Sequence, residues 1–289
     1  MKVLATRRYP GPAFAELRDV EVGTLEPRDD VEVLLVANEP VDPALFPALR
    51  LVANFGVGYD RIGVEELRRR GVAVTNTPGV LDAATADLTW ALILAVRRRV
   101  VEGDRDVRTG RWRGSWAEGS LAQEVSGATL GIVGLGRIGR AVALRAEAFG
   151  MRLLSVRSTS SEDELDELLR RSDVVTLHVP RTPRTDELLD ARRLSLLADG
   201  ACLVNTARGD VVDEPALVAE LVSGRIRAGL DVFAHEPHVP EELLGLDNVV
   251  LTPHVASGTA ATRAAMTRLV VDNVLALARG EPLLTPVST

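Results

Sequence analysis

Short apolar runs that alternate with amphipathic stretches constrain this chain more than any other feature. Within residues 129–256 the runs TLGIVGLG (129–136), MRLLSV (151–156), DVVTLHVP (173–180), GACLVNTARG (200–209), IRAGLDVF (226–233) and NVVLTPHVA (248–256) each read as a strand. The segments 137–149, 161–171, 186–198 and 213–223 between them carry helical patterns. Strands joined by helical crossovers pair in parallel with helices on both faces, so six of them predict one doubly wound sheet. A shorter series precedes it, with strands expected at KVLA (2–5), VEVLLV (31–36), LRLVANFG (49–56) and VAVTNTPG (72–79). GVEELRRRG (63–71) reads as a helix closed by its glycine. The expected fold class is α/β, with two parallel-sheet domains.

Residues 84–110 form one long helical pattern, with Asp82 or Thr85 as cap and the apolar block 88–96 buried from both sides. The stretch RWRGSWAEGSLAQEVSG (111–127) is rich in glycine and holds two of the three tryptophans, as an exposed excursion would. Exposed tryptophans favour a partner surface, here a homodimer contact. The helical tail 260–281 is expected to return to the first domain. The boundaries read as 1–98 plus 260–289 for one domain and 99–259 for the other.

Composition narrows the function. Across 289 residues the net charge is −7, which argues against a nucleic-acid partner or an anionic membrane, since either needs a basic face. The single cysteine, Cys202, sits in the apolar run ACLVN and is expected to be buried; an internal disulfide and a multi-cysteine metal site are excluded. No HExxH, EF-hand or paired-cysteine pattern suggests a metal. MKVLATRRYP lacks the apolar core of a signal peptide, and no window matches a membrane span, so a soluble cytoplasmic protein is the expectation.

GLGRIG places Gly134, Gly136 and Gly139 in GxGxxG spacing, after a strand and at the start of a helix. The first glycine permits the tight turn, the second lets the backbone approach a pyrophosphate, and the third allows helix and strand to pack closely. In such units the end of the second strand usually carries an acid about 20 residues past the glycines, which holds the adenosine ribose. Here LLSVRSTSS (153–161) presents Arg157, followed by Ser158 and Thr159. An acid there would repel a 2′-phosphate, whereas arginine and two hydroxyls attract it, so NADP(H) is expected over NAD(H), with NAD(H) possible.

Three further loops end strands of the same sheet: NTARGD (205–210), LDVFAHEP (230–237) and LTPHVASG (251–258). They present Arg208, Glu236 and His254 where open α/β sheets bind ligands. Arginine clamps a carboxylate through two parallel hydrogen bonds, and a histidine beside a glutamate suits proton donation to a developing alkoxide. Of the other histidines, His178 ends a strand and is expected to be structural, while His235 and His238 are expected to be solvated.

The stretches FGVGYDRIGVEELRRRGVAVTNTPGVLDAATADL, GIVGLGRIGRAVA, SDVVTLHVP, NTARGDVVDEPAL, GLDVFAHEP and TPHVAS run across nearly the whole chain. Together they resemble the D-isomer-specific 2-hydroxyacid dehydrogenases, most closely the glyoxylate/hydroxypyruvate reductase branch. That resemblance implies two flavodoxin- or Rossmann-like domains, one substrate-binding and one dinucleotide-binding, with the active site in the cleft between them, usually in a dimer. It implies NAD(P)H-dependent reduction of a small 2-keto acid to the D-2-hydroxy acid. Arg208 would bind the substrate carboxylate, His254 would donate the proton and Glu236 would keep it charged. The backbone amides of Val57 and Gly58 would hold the carboxylate's other side. Asp231 would face the nicotinamide amide, Thr206 and Ala207 the nicotinamide ribose, and Val179 and Pro180 the adenosine. Arg137, Ile138 and Ala256 complete the implied cofactor contacts, and Trp116 or Trp112 would reach the partner's active site. A phosphoglycerate dehydrogenase-like enzyme and a dinucleotide-sensing co-repressor are the alternatives. Two departures from the family pattern are a short segment between Ser158 and Asp173, with space for one small helix, and a trimmed stretch between Thr6 and Val31.

Overall fold

The structure is a computed structural model that describes residues 1–114 and 121–287. It divides into two compact units, Met1–Ala84 with the residues from Ser257 onward, and Thr85–Ala256.

In the first unit five strands form one sheet: β1 (Lys2–Ala5), β2 (Val20–Val22), β3 (Val31–Val36), β4 (Leu51–Asn54) and β5 (Ala73–Thr75). Their order is β2–β1–β3–β4–β5 and every pairing is parallel, the flavodoxin-like arrangement. VLLV of β3 and LVA of β4 are apolar on successive residues because both faces of a parallel sheet are covered; β4 is buried along its whole length. Helix Val64–Arg69 and the C-terminal helix Ala260–Arg279 belong to this unit. Thr267 on the long helix donates to the carbonyl of Pro10 at 2.5 Å, and the Arg263 guanidinium lies 5.6 Å from the centre of the Phe55 ring. The stretch between Thr6 and Val31 holds a 3-10 turn, Pro12–Glu16, and β2. β2 was not expected as a strand: only three residues long, with no buried residue, it gives no apolar run to read.

The second unit holds β6 (Thr129–Val133), β7 (Arg152–Val156), β8 (Val174–Leu177), β9 (Cys202–Asn205), β10 (Arg227–Leu230) and β11 (Val249–Leu251). All six expected strands pair in parallel, in the order β11–β10–β9–β8–β6–β7. The chain leaves β6 toward β7 on one side and returns through the single helix Glu162–Arg171 to β8 on the other. The carboxyl ends of β6 and β8 therefore mark the point where the strand order reverses, which is where such sheets bind ligands. One face is covered by the helix Asp82–Arg97, whose Trp90, Leu92, Ile93 and Val96 pack with Leu130, Ile132 and Val204. The other is covered by Leu165, Leu168, Leu217 and Leu221 from later helices. Cys202 is buried, as expected.

Three expectations about extent change. The units part at Ala84 and Ala256, not at 98 and 259. The body of helix Asp82–Arg97 is core of the second sheet: Trp90 Nε1 donates to Val142 O at 3.1 Å, and a Cβ at Gly229 would lie 2.9 Å from Leu92 Cβ. The pattern at 84–110 is two helices, Asp82–Arg97 and Val100–Arg108, because Arg99 adopts a left-handed conformation with φ 54°. The first helix buries residues up to Arg97, which donates to the carbonyls of Glu124 and Asp173; the second buries none. The expected helix at 186–198 shrinks to Ala191–Leu194, since Asp190 caps it from within through Arg193 N at 2.8 Å. Among the described residues no helix is long and apolar enough to cross a membrane, and no three His, Cys, Asp or Glu side chains could hold a metal.

Candidate active site

The glycine turn after β6 has the three properties its spacing predicts. Gly134 has φ 98°, a left-handed conformation that a side chain would strain, and a Cβ there would lie 2.6 Å from His178 O. At Gly139 a Cβ would lie 2.2 Å from Gly134 O, so helix Arg137–Ala148 packs as closely on its strand as glycine allows. At Gly136 a Cβ would meet nothing within 4 Å. Gly136 is also the N-cap of that helix, and no side chain caps it. A helix start that no side chain caps, with open space above its N-cap glycine, fits the pyrophosphate of a dinucleotide. Arg137 is exposed and Ile138 half-buried at this end.

At the end of β7 a tight turn runs through Arg157, Ser158 and Thr159, all exposed. Ser160 N donates to Arg157 O at 3.0 Å, and Ser161 then starts the next helix with a capping box through Glu164. After β8, Val179 is half-buried and Pro180 exposed. His178 N donates to Val133 O at 2.8 Å, and its ring Nε2 meets Thr176 Oγ1 at 3.0 Å. Burial pushes its pKa down to about 4, which suits the structural role expected of it.

The loops after β9, β10 and β11 interlock. Asn205 at the end of β9 donates through Nδ2 to Arg208 O at 2.8 Å and accepts from Ala207 N at 3.0 Å, which curls the chain so that it presents Arg208. A Cβ at Gly209 would lie 2.0 Å from the carbonyl carbon of Phe233, so the arginine loop lies directly against the glutamate loop. Thr206 is buried, with its hydroxyl 3.0 Å from that of Thr89. Glu236 Oε1 accepts from Phe233 N at 3.2 Å, and Oε2 lies 2.8 Å from His254 Nδ1. Burial tends to raise the Glu236 pKa. The hydrogen bond and charge of His254, the Phe233 N–H and the Arg208 charge outweigh that effect and hold the carboxyl below its ordinary 4.5. The expected trio therefore sits on three neighbouring loops of one sheet edge. His235 and His238 are exposed, as expected.

Asp231 has a larger structural part than the sequence suggested. It is 0% exposed; Oδ1 accepts from Thr252 Oγ1 at 2.6 Å and Val255 N at 2.9 Å, and Oδ2 from Ala256 N at 2.9 Å. Its backbone carbonyl accepts from His254 N at 2.8 Å. His254 has φ 52°, a left-handed conformation that costs a non-glycine residue roughly 1–2 kcal/mol. Charge-assisted hydrogen bonds to the amides on its C-terminal side hold that conformation and aim the ring at Glu236. Ala256 is buried beneath this carboxylate. Asn205 and Thr252 thus belong to the site's scaffold. Their only sequence signal is a polar residue placed where an apolar strand ends.

Val57 and Gly58 follow β4 in the first unit, both half-buried. Trp112 is 65% exposed, and Trp116 lies outside the described residues.

Residues 90–256 match the family described as D-isomer specific 2-hydroxyacid dehydrogenase, NAD binding domain. A glyoxylate reductase of Pyrococcus horikoshii is 46% identical over 312 aligned residues, covering 97% of this chain and 93% of that protein. Among solved structures, a protein from Thermus thermophilus superposes with a TM-score of 0.92 at 42% identity, covering 100% of both chains. The NADPH-dependent glyoxylate/hydroxypyruvate reductase of Sinorhizobium meliloti, solved with NADP and malonate, superposes with a TM-score of 0.89 at 37% identity, covering 99% of this chain and 96% of that one. With a family match over more than half its residues and such relatives along almost its whole length, the chain belongs to the D-isomer-specific 2-hydroxyacid dehydrogenases.

Proposed function

We infer that this protein is an oxidoreductase that uses a reduced nicotinamide dinucleotide to convert a small 2-keto acid of the glyoxylate/hydroxypyruvate type to the D-2-hydroxy acid. The observation that carries the reading is the 2.8 Å contact between His254 Nδ1 and Glu236, on loops adjoining that of Arg208. With Nδ1 donating to the carboxylate, Nε2 is the ring atom left to deliver a proton to the substrate oxygen. Glu236 stabilises the imidazolium before transfer and fixes its orientation. Arg208 grips the substrate carboxylate and draws electron density from the adjacent carbonyl. The amides of Val57 and Gly58 bind the same carboxylate.

The glycine turn and the helix start at Gly136 hold the pyrophosphate, with Arg137 and Ile138 beside it. Val179 and Pro180 flank the adenosine, Thr206 and Ala207 the nicotinamide ribose, and Asp231 and Ala256 lie near the nicotinamide. When bound, the cofactor supplies the hydride.

Arg157, Ser158 and Thr159 favour NADP(H). They are three exposed donors at the end of the edge strand β7, and none of them would repel a 2′-phosphate. The NADPH dependence of the Sinorhizobium relative supports the same reading. The test is glyoxylate and hydroxypyruvate reduction with each reduced cofactor, before and after Arg157→Asp. The parent is expected to favour NADPH, and the variant to lose about tenfold in kcat/KM with NADPH while keeping NADH activity. Equal use of both cofactors by the parent would overturn the assignment.

A further inference from the structure

We infer that Asn54 and Asn76 are positioning residues for the substrate carboxylate, because their side-chain amides fix two successive peptide groups so that the N–H groups of Val57 and Gly58 face a common anion. This inference rests on the functional reading above, in which those two amides bind the keto acid.

Three consecutive carbonyls in the loop after β4 are held by asparagine side chains. Asn54, the last residue of β4 and 0% exposed, donates through Nδ2 to Gly58 O at 2.8 Å and to Gly56 O at 3.1 Å. Its Oδ1 accepts from Asn38 N at 2.8 Å, which fixes the amide's orientation. Asn76, just past β5, donates through Nδ2 to Val57 O at 2.9 Å. Gly56 O also accepts from Thr77 N at 3.0 Å. Asn76 is itself anchored: its carbonyl accepts from Thr285 Oγ1 at 2.7 Å, and Asn273 Nδ2 in turn donates to that hydroxyl at 3.0 Å. The C-terminal segment thus braces the asparagine that braces the loop.

Peptide geometry gives these bonds their consequence. In a planar trans peptide the carbonyl of one residue and the N–H of the next point in opposite directions. Pinning Gly56 O turns the Val57 N–H away from Asn54, and pinning Val57 O turns the Gly58 N–H away from Asn76. Neither N–H has an acceptor among the described residues. Successive N–H groups exposed in this way form a concavity for an anion. Half-buried carbonyls in a loop could be satisfied by water alone. Two fixed side-chain amides instead hold the backbone in one conformation before the substrate arrives, which lowers the ordering cost of binding.

The test is Asn76→Asp in the full-length protein, a change that keeps shape but removes the donor to Val57 O. A lost ground-state contact to the carboxylate raises KM without a matching fall in kcat. The KM for glyoxylate and the inhibition constant of oxamate should each rise about tenfold, while the KM for NADPH stays within about twofold. A merely structural role would lower the melting temperature and leave both constants unmoved. If Asn76→Asp does not fold, Asn76→Ser, too short to reach Val57 O, is measured instead with the same expectation. A glyoxylate KM within about twofold of the parent in a folded variant would overturn the inference and leave the functional reading intact. A parent protein that reduces no keto acid would overturn both.

Discussion

In the proposed reaction the group that acts after β11 is a side chain, and a buried carboxylate holds the backbone that carries it; the groups that bind after β4 are backbone amides, and side-chain carboxamides hold them. His254 is held in its left-handed conformation by the buried carboxylate of Asp231, which gathers Val255 N, Ala256 N and Thr252 Oγ1. Val57 and Gly58 are oriented from behind by the amides of Asn54 and Asn76. A carboxylate suits the first task because the groups to be held are donors, and a carboxamide NH2 suits the second because they are acceptors. After β4, holding the carbonyls leaves the N–H halves of the peptide groups for the substrate; after β11, holding the N–H groups fixes the conformation that carries the reactive side chain.

Inverting the polarity of either holding group should disturb its loop most. Asp231→Asn leaves one oxygen to accept and turns an NH2 toward an N–H donor. The expected result is a fall in kcat for keto-acid reduction of about a hundredfold, as a misplaced His254 would produce, with a loss of about 1–3 kcal/mol in unfolding free energy. A folded variant with parental kcat would show that the histidine loop keeps its conformation without the carboxylate. Asn76→Asp is the reciprocal inversion, and its smaller expected effect falls on KM, because amides that bind the carboxylate equally before and during reaction do not change the barrier.

The smallest effect is the one that pH reveals. Because the folded protein holds the Glu236 pKa below 4.5, the unfolded chain binds this proton more readily. The carboxylate's contribution to stability is therefore present above pH 4.5 and is lost as pH falls through the depressed value. The Glu236 side chain is 34% exposed, so solvent screening limits the contribution to under about 1 kcal/mol. Melting curves of the parent and Glu236→Gln should differ at neutral pH and converge below pH 4.5. A gap that stays constant down to about pH 3 would assign the difference to packing rather than to the His254–Glu236 pair.

The two scaffolds also differ in how far they could be read in advance. Strands β6 to β11 were legible because each is a local apolar run, and the glycine turn because its spacing carries its own geometric reason. Arg208, Glu236 and His254 stood out as polar residues just past strand ends. The anchoring part of Asp231 did not, since its partners lie 21 to 25 residues away on another strand's loop. Asn76 is likewise 19 residues from the carbonyl it holds. The helix break at Arg99 escaped for a different reason: the periodicity on either side of it is helical, and only the end of burial at Arg97 marks the stop. Edge strand β2 is too short and too exposed to leave a pattern.

In the proposed reaction a proton from His254, held by Glu236, completes keto-acid reduction. This step is tested most directly by following NADPH oxidation with glyoxylate in the parent and in His254→Ala. The parent should oxidise NADPH in a glyoxylate-dependent way, and the variant should lose about 10²–10⁴-fold in kcat, with the KM for NADPH little changed. A variant that keeps the parental rate would contradict that role of His254.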